Sequence, residues 1–99
     1  MKRLIYRAAA TADLRGIARS TRARWGDEQA SSYVSAIRSS IKSLDEFDRR
    51  FPEADVGHRG LRKMRSGHHM VFYRVNGDSI EIVRVLHERM DAGSALDFE

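Results

Sequence analysis

From Thr11 to Trp25 the apolar positions Leu14, Ile17, Ala18 and Trp25 recur at helical spacing, which predicts a helix with one buried stripe. Thr11 suits the cap at its start, and Gly26 suits the left-handed residue that follows a helix end. Asp27 then stands where it could cap a second helix, whose stripe reads Ala30, Tyr33, Val34, Ile37, Ile41 and Leu44, with Phe47 continuing it. Pro52 should stop that helix, because the residue before a proline is pushed out of the helical region. With so little chain between them, the two helices must fold back as an antiparallel hairpin.

On either side of this hairpin the period drops towards two. Lys2 to Arg7 reads as a short strand with Leu4 and Tyr6 on one face and Ile5 on the other. Phe51 to Arg59 holds the single proline and Gly57, shows no period, and is expected to be a loop. Three strands should follow: Leu61 to Ser66, His69 to Val75 after the Ser66-Gly67 turn, and Ser79 to His87 after Asn76-Gly77. With Asn76-Gly77 as a two-residue loop, Tyr73 would face Ile80 and Val71 would face Ile82, with Arg84 and Leu86 continuing the same side. That apolar face should carry the helical hairpin. The expected fold is α+β, one domain over residues 1–99: a small antiparallel sheet with an N-terminal helical hairpin on one face, in the order β-α-α-β-β-β, with room for a short helix at the C-terminal end.

Size and composition narrow the function classes. A chain of 99 residues builds one modest core and no second domain. It has no cysteine, which excludes disulfides and thiolate chemistry. The start MKRLIYRAAA has no signal-type apolar core, and no run reaches the roughly 18 to 20 apolar residues of a span, so the expected address is the cytoplasm. The net charge of +4 and the pI near 10.0 favour an acidic partner: nucleic acid, an acidic protein segment or an anionic surface. Between residues 58 and 90 seven basic residues (Arg59, Arg62, Lys63, Arg65, Arg74, Arg84, Arg89) stand against Asp78, Glu81 and Glu88, a local excess equal to that of the whole chain.

Individual side chains are less decisive. Arg84 interrupts an apolar strand face, so it is either paired at the edge of a cleft or snorkels past the helices to water. Arg62 and Arg65 lie on opposite faces of one strand, and Arg74 adjoins a turn where a solvated charge is ordinary. His68 and His69 are neighbours that point apart, and no HxH or HExxH spacing occurs. His87, at a strand end beside Arg89 and Asp91, either transfers protons or holds a turn by hydrogen bonding. Trp25 ends a stripe and reads as core, its indole N–H needing a partner. Glycine-rich phosphate loops, serine motifs and paired carboxylates are lacking, so neither metal nor cofactor is expected.

Three segments taken together, WGDEQASSYVSAI at Trp25 to Ile37, LRKMRSGHHMVFYRV at Leu61 to Val75 and IEIVRVLHERMD at Ile80 to Asp91, resemble the ParE branch of the ParE/RelE toxin superfamily. The resemblance covers nearly the whole chain. It implies the toxin of a bacterial type II toxin-antitoxin pair, with a helical hairpin on one face of a small sheet. ParE-like members inhibit DNA gyrase by protein contact, whereas RelE-like members are ribosome-dependent mRNA endoribonucleases that use basic residues and usually a C-terminal tyrosine or histidine. The chain departs from the second pattern: no tyrosine follows Tyr73, and Met70 stands where the cleaving enzymes carry an arginine. The remaining candidates for cleavage (His87, Arg84, Arg89, Lys63) lack the usual stacking aromatic.

The resemblance therefore implies a non-enzymatic gyrase inhibitor, silenced by a ParD-like antitoxin whose disordered tail folds onto it. A RelE-like mRNA endoribonuclease is the alternative. A non-toxic nucleic-acid-binding module would need aromatic residues interleaved with the charges, and only Phe72 and Tyr73 offer that, so direct nucleic-acid or membrane contact is not expected. Expected target contacts are Arg62, Arg84, His87, Arg89, Met90 and Asp91. Expected antitoxin contacts are Arg62, Arg65, Arg74 and Arg84 with Leu14, Ile17, Trp25 and Tyr33. Residues 92–99 should add little to the core beyond what Leu96 and Phe98 bury.

Overall fold

The computed structural model describes residues 2–47, 51–54 and 60–96. Strand β1 (Arg3–Tyr6) leads through Arg7 into helix α1 (Ala8–Trp25), then α2 (Asp27–Lys42) and the short α3 (Leu44–Phe47). Strands β2 (Leu61–Ser66), β3 (His69–Asn76) and β4 (Ser79–His87) follow, and α4 (Ala92–Ala95) closes the described chain. Gly57, Arg59 and Phe98, and the Phe47 side chain, lie outside the described residues.

Helix α1 starts a turn before Thr11, because Ala8 to Ala10 are strong helix formers and Ala10 is fully buried against the core. Thr11 is therefore interior, its N–H donating to the Arg7 carbonyl at 3.0 Å. Gly26 takes φ 93°, closed to most side chains, and turns α1 back into α2. It also occupies the cap position of α2, so Asp27 is the first helical residue and pairs with Arg22 at 3.0 Å. The second helix stops at Lys42 rather than running towards Pro52. The Ser43 hydroxyl donates to the Ser40 carbonyl at 2.6 Å, a side-chain bond that competes with the helical ladder.

The last three strands form the expected antiparallel meander, and β1 adds to β4 in parallel, giving a mixed sheet of order β1-β4-β3-β2. The parallel pair follows from the helical hairpin, which carries the chain back over the sheet as a crossover. Register differs from the sequence expectation. Asn76 pairs with Ser79, so the two-residue loop is Gly77-Asp78, and Tyr73 faces Ile82 rather than Ile80. Gly77 has φ 59°, which puts the left-handed residue first in that loop. Between Phe72 and Tyr73 the register shifts again: Phe72 faces Arg84, leaving Val83 as an extra residue on β4.

That bulge decides which side chains share a face. Before it, Ile80 and Ile82 lie on the helix side; beyond it Val85 does, and Leu86 moves to the other side with Val83. The expected alternation Ile80, Ile82, Arg84, Leu86 is therefore broken at Arg84. On the helix side Leu14, Ile37, Ile41 and Leu44 pack on Met64, Val71, Tyr73, Ile80 and Ile82. On the other, Leu61, Phe72, Val83 and Leu86 are covered by Ala54 and by Leu96, which α4 brings in to complete burial. Among the described residues no helix is long and apolar enough to cross a membrane.

Candidate functional site

Where α1 runs past the edge of the core, its last turns, the first turns of α2 and the far ends of β3 and β4 leave a cleft of about 680 Å³. Ile17, Tyr33, His69, Val85 and His87 line it, and Trp25, Arg24, His68 and Met90 border it. Trp25 is 70% exposed and Met90 50%, the large apolar residues that the fold leaves beside this cleft. Trp25 is therefore not core. The stripe that buries Leu14 and Ile17 ends about two turns short of Trp25.

The floor is polar but internally satisfied. The Tyr33 hydroxyl is 2.6 Å from His69 Nδ1 and accepts the His68 backbone N–H at 2.9 Å. His69 and His87 face each other across the β3–β4 ladder with ring centroids 5.2 Å apart, edge to face. Burial pushes the His69 imidazole below its ordinary range, and the neighbouring His87 pushes it the same way. His87 Nδ1 accepts the Arg89 backbone N–H at 3.1 Å. Outside the cleft mouth Glu88 bonds Arg65 and His68, which hold its carboxyl down at about 2.

At the inner wall stands a second constellation. Asp13 accepts from Arg84 Nε at 2.7 Å and Nη2 at 2.8 Å, and from the Val85 backbone N–H at 2.9 Å, next to the bulge. Arg84 Nη1 also donates to the Ala95 carbonyl at 3.2 Å, so one guanidinium joins α1, β4 and α4. The hydrogen-bonded Asp13 carboxylate pushes the Arg84 guanidinium further up, against the opposing effect of burial. Arg84 is thus paired, with its side chain 16% exposed, and does not snorkel.

The structure separates the residues expected to act together. His87 and Met90 do meet Ile17, Trp25 and Tyr33 in the cleft, so side chains expected for target and for antitoxin share one surface. Arg62 donates to the Phe51 carbonyl at 2.6 Å and holds the 51–54 segment on the edge strand. Arg65 is engaged with Glu88, and Arg74 with Glu81 at 3.7 Å, where Arg7 also lies at 3.0 Å. Asp91 caps α4, accepting the Ser94 hydroxyl at 2.9 Å. Leu14 is 1% exposed and belongs to the core rather than to an outer face. Arg89 is exposed, with its backbone N–H bonded to His87 and its side chain left to solvent or a partner. Asp13 and His69 were missed by sequence reasoning. A hint for Asp13 was its standing as the lone acid in an arginine-rich helix; His69 had none, since its partners come from α2 and β4.

Residues 4–92 match the family described as the ParE toxin of type II toxin-antitoxin systems, parDE. The chain belongs to the ParE toxin family. It is 39% identical over 90 residues to Toxin ParE1 of Mycobacterium tuberculosis, covering 90% of this chain and 92% of the relative. It is 38% identical over 92 residues to Toxin ParE of Escherichia coli, covering 92% and 89%. Among solved structures, the chromosomal ParDE system from P. aeruginosa superposes with a TM-score of 0.78 at 25% identity, over 88% of this chain and 96% of that one. For a ParE toxin the cleft is notable because its histidines and its carboxylate are already bonded within the chain, whereas its apolar rim is open.

Proposed function

We propose that this toxin acts by protein contact on DNA gyrase, and that a ParD-like antitoxin silences it by covering the cleft between the helical hairpin and the ends of β3 and β4. The observation that carries the reading is the contrast inside the cleft. Its floor groups are spoken for by Tyr33–His69, Arg89–His87 and Arg84–Asp13 bonds, while Trp25 and Met90 stand exposed beside it. Rigid, internally satisfied polar groups with exposed aromatic and thioether anchors suit the burial of a partner segment. Exposed Arg15, Arg19 and Arg24 on α1 favour an acidic one.

The test is expression of the wild-type toxin without antitoxin, with gyrase supercoiling and mRNA cleavage scored side by side. Filamentous cells and impaired supercoiling are expected. Translation arrest with cuts in ribosome-bound mRNA and intact supercoiling would instead establish the endoribonuclease reading. Trp25→Ala should leave the protein folded and lower antitoxin affinity at least tenfold, because a truncated hot-spot aromatic typically costs about 2 kcal/mol or more. Arg89→Ala and Met90→Ala proteins should stay soluble and lose growth inhibition.

A further inference from the structure

We propose that His87 is a proton-operated latch on the turn that carries Arg89 and brings Met90 to the cleft: the neutral ring holds the turn and the protonated ring releases it. The argument rests on donor and acceptor chemistry. The Arg89 backbone N–H, a donor only, points at His87 Nδ1 at 3.1 Å. An imidazole nitrogen accepts only while it carries a lone pair, so the neutral ring must hold its proton on Nε2. A second proton can go only to Nδ1. That converts the bond into two N–H groups facing each other at hydrogen-bond distance, and the turn must open or the ring must swing away.

The surroundings give the released turn somewhere to go. Met90 borders the cleft and also a second cavity of about 250 Å³ on the opposite face of the sheet, beside Met70 and Phe72. His87 stands between the two. The turn is otherwise held by Met90 N–H to the His87 carbonyl at 3.0 Å and by Glu88 N–H to the His68 carbonyl at 2.9 Å. His69 faces the ring across the ladder; the other ionisable groups that line the two cavities with it are Tyr33 from α2, Asp13 and Arg24 from α1, and Lys63 and Arg65 from β2, with His68 and Glu88 alongside. Asp13 and Glu88 are themselves bonded to Arg84 and Arg65.

This deepens the antitoxin reading by giving its cleft a regulator, and depends on that reading only for the binding measurement. In nuclear magnetic resonance spectra of the full chain titrated from pH 8 to 5, the Arg89 amide and the Met90 methyl signals should move with the same midpoint as the His87 ring. In His87→Asn, whose side-chain oxygen can accept the N–H two residues on without titrating, both signals should stay still. His68→Gln should leave the coupling intact. An Arg89 amide that ignores the His87 titration, or an unchanged response in His87→Asn, would overturn the latch. Antitoxin affinity of the wild type should weaken about tenfold from pH 7.5 to 5.5, the scale of one lost hydrogen bond, while His87→Asn keeps one affinity within twofold whatever its absolute value. Coupled NMR signals with equal pH dependence of binding in both proteins would uphold the latch and remove this turn from the antitoxin contact.

Discussion

Replacing Asp13 by alanine should be among the most damaging changes available in this protein, although the residue lies on a helix otherwise dominated by exposed arginines. Its carboxylate receives three donors, Arg84 Nε, Arg84 Nη2 and the Val85 N–H, between 2.7 and 2.9 Å. Both side chains are largely covered, at 16% exposure for Arg84 and 14% for Asp13. Removing one partner of a buried ion pair costs about 3 to 5 kcal/mol, and the partial exposure here argues for the lower end; the orphaned Val85 N–H adds roughly 1. The expected loss is about 3 to 4 kcal/mol. At roughly 4 to 8 °C per kcal/mol for a domain of this size, the Tm should fall by about 12 to 32 °C. Asp13→Asn keeps one acceptor and should lose about half as much. The assay is urea unfolding of Asp13→Ala, Arg84→Met and the double variant, with a coupling energy above about 2 kcal/mol expected from the cycle. A loss below about 1 kcal/mol in Asp13→Ala, with coupling near zero, would refute the reasoning and reduce the pair to a solvated contact.

Leu96→Ala should cost about 2 to 5 kcal/mol, because Leu96 is fully buried under β2, β3 and β4, and calorimetry of the single variant would show it. Gly67→Ala should destabilise more than Gly77→Ala: both have φ near 60°, but a Cβ at 67 would sit 2.8 Å from the Tyr33 ring, whereas at 77 it meets open space. Equal urea midpoints for the two would refute that clash. The native His69 binds its proton less readily than the unfolded chain does, so stability should fall as pH drops below about 6.5, the ordinary histidine value, and be fully present above it. Urea midpoints of wild type and His69→Gln at pH 7.5 and 5.5 test this; the wild type should lose more. Glu88, held at about 2, loses its stabilising contribution only as pH falls below its ordinary value of 4.5 and so does not enter this window.

Much of the fold was legible in the linear pattern because secondary structure reflects period, and period is local. The limits of β2 and β4, Leu61–Ser66 and Ser79–His87, coincide with the strands expected from the pattern, and Gly26 marks the helix junction by the φ it must adopt. The family resemblance was legible for the same reason: its segments are contiguous. The sheet register was not. Asn76-Gly77 is a strong hairpin signal, yet Asn76 itself pairs with Ser79 and the loop falls one residue later, on Gly77-Asp78; the partners change by two residues, so Tyr73 and Val75 keep to the helix side and the hydrophobic alternation could not reveal the shift.

The site lay beyond the pattern for a related reason. The Val83 bulge moves Leu86 to the far face, turns Arg84 towards Asp13, and leaves Val85 on the helix side. A bulge depends on which cross-strand partner each residue finds, and no spacing along one strand records that. Trp25 looked like core because it continued a stripe, but a stripe is buried only as far as something lies beneath it. Adjacent histidines that seemed idle became a cleft floor once Tyr33 and His87 arrived from other elements. By itself the sequence determined the element types, their order, the helical turn at Gly26 and the family. Tertiary structure decided register, face and partner, because those depend on distances between residues far apart in the chain, such as the 71 positions separating Asp13 from Arg84.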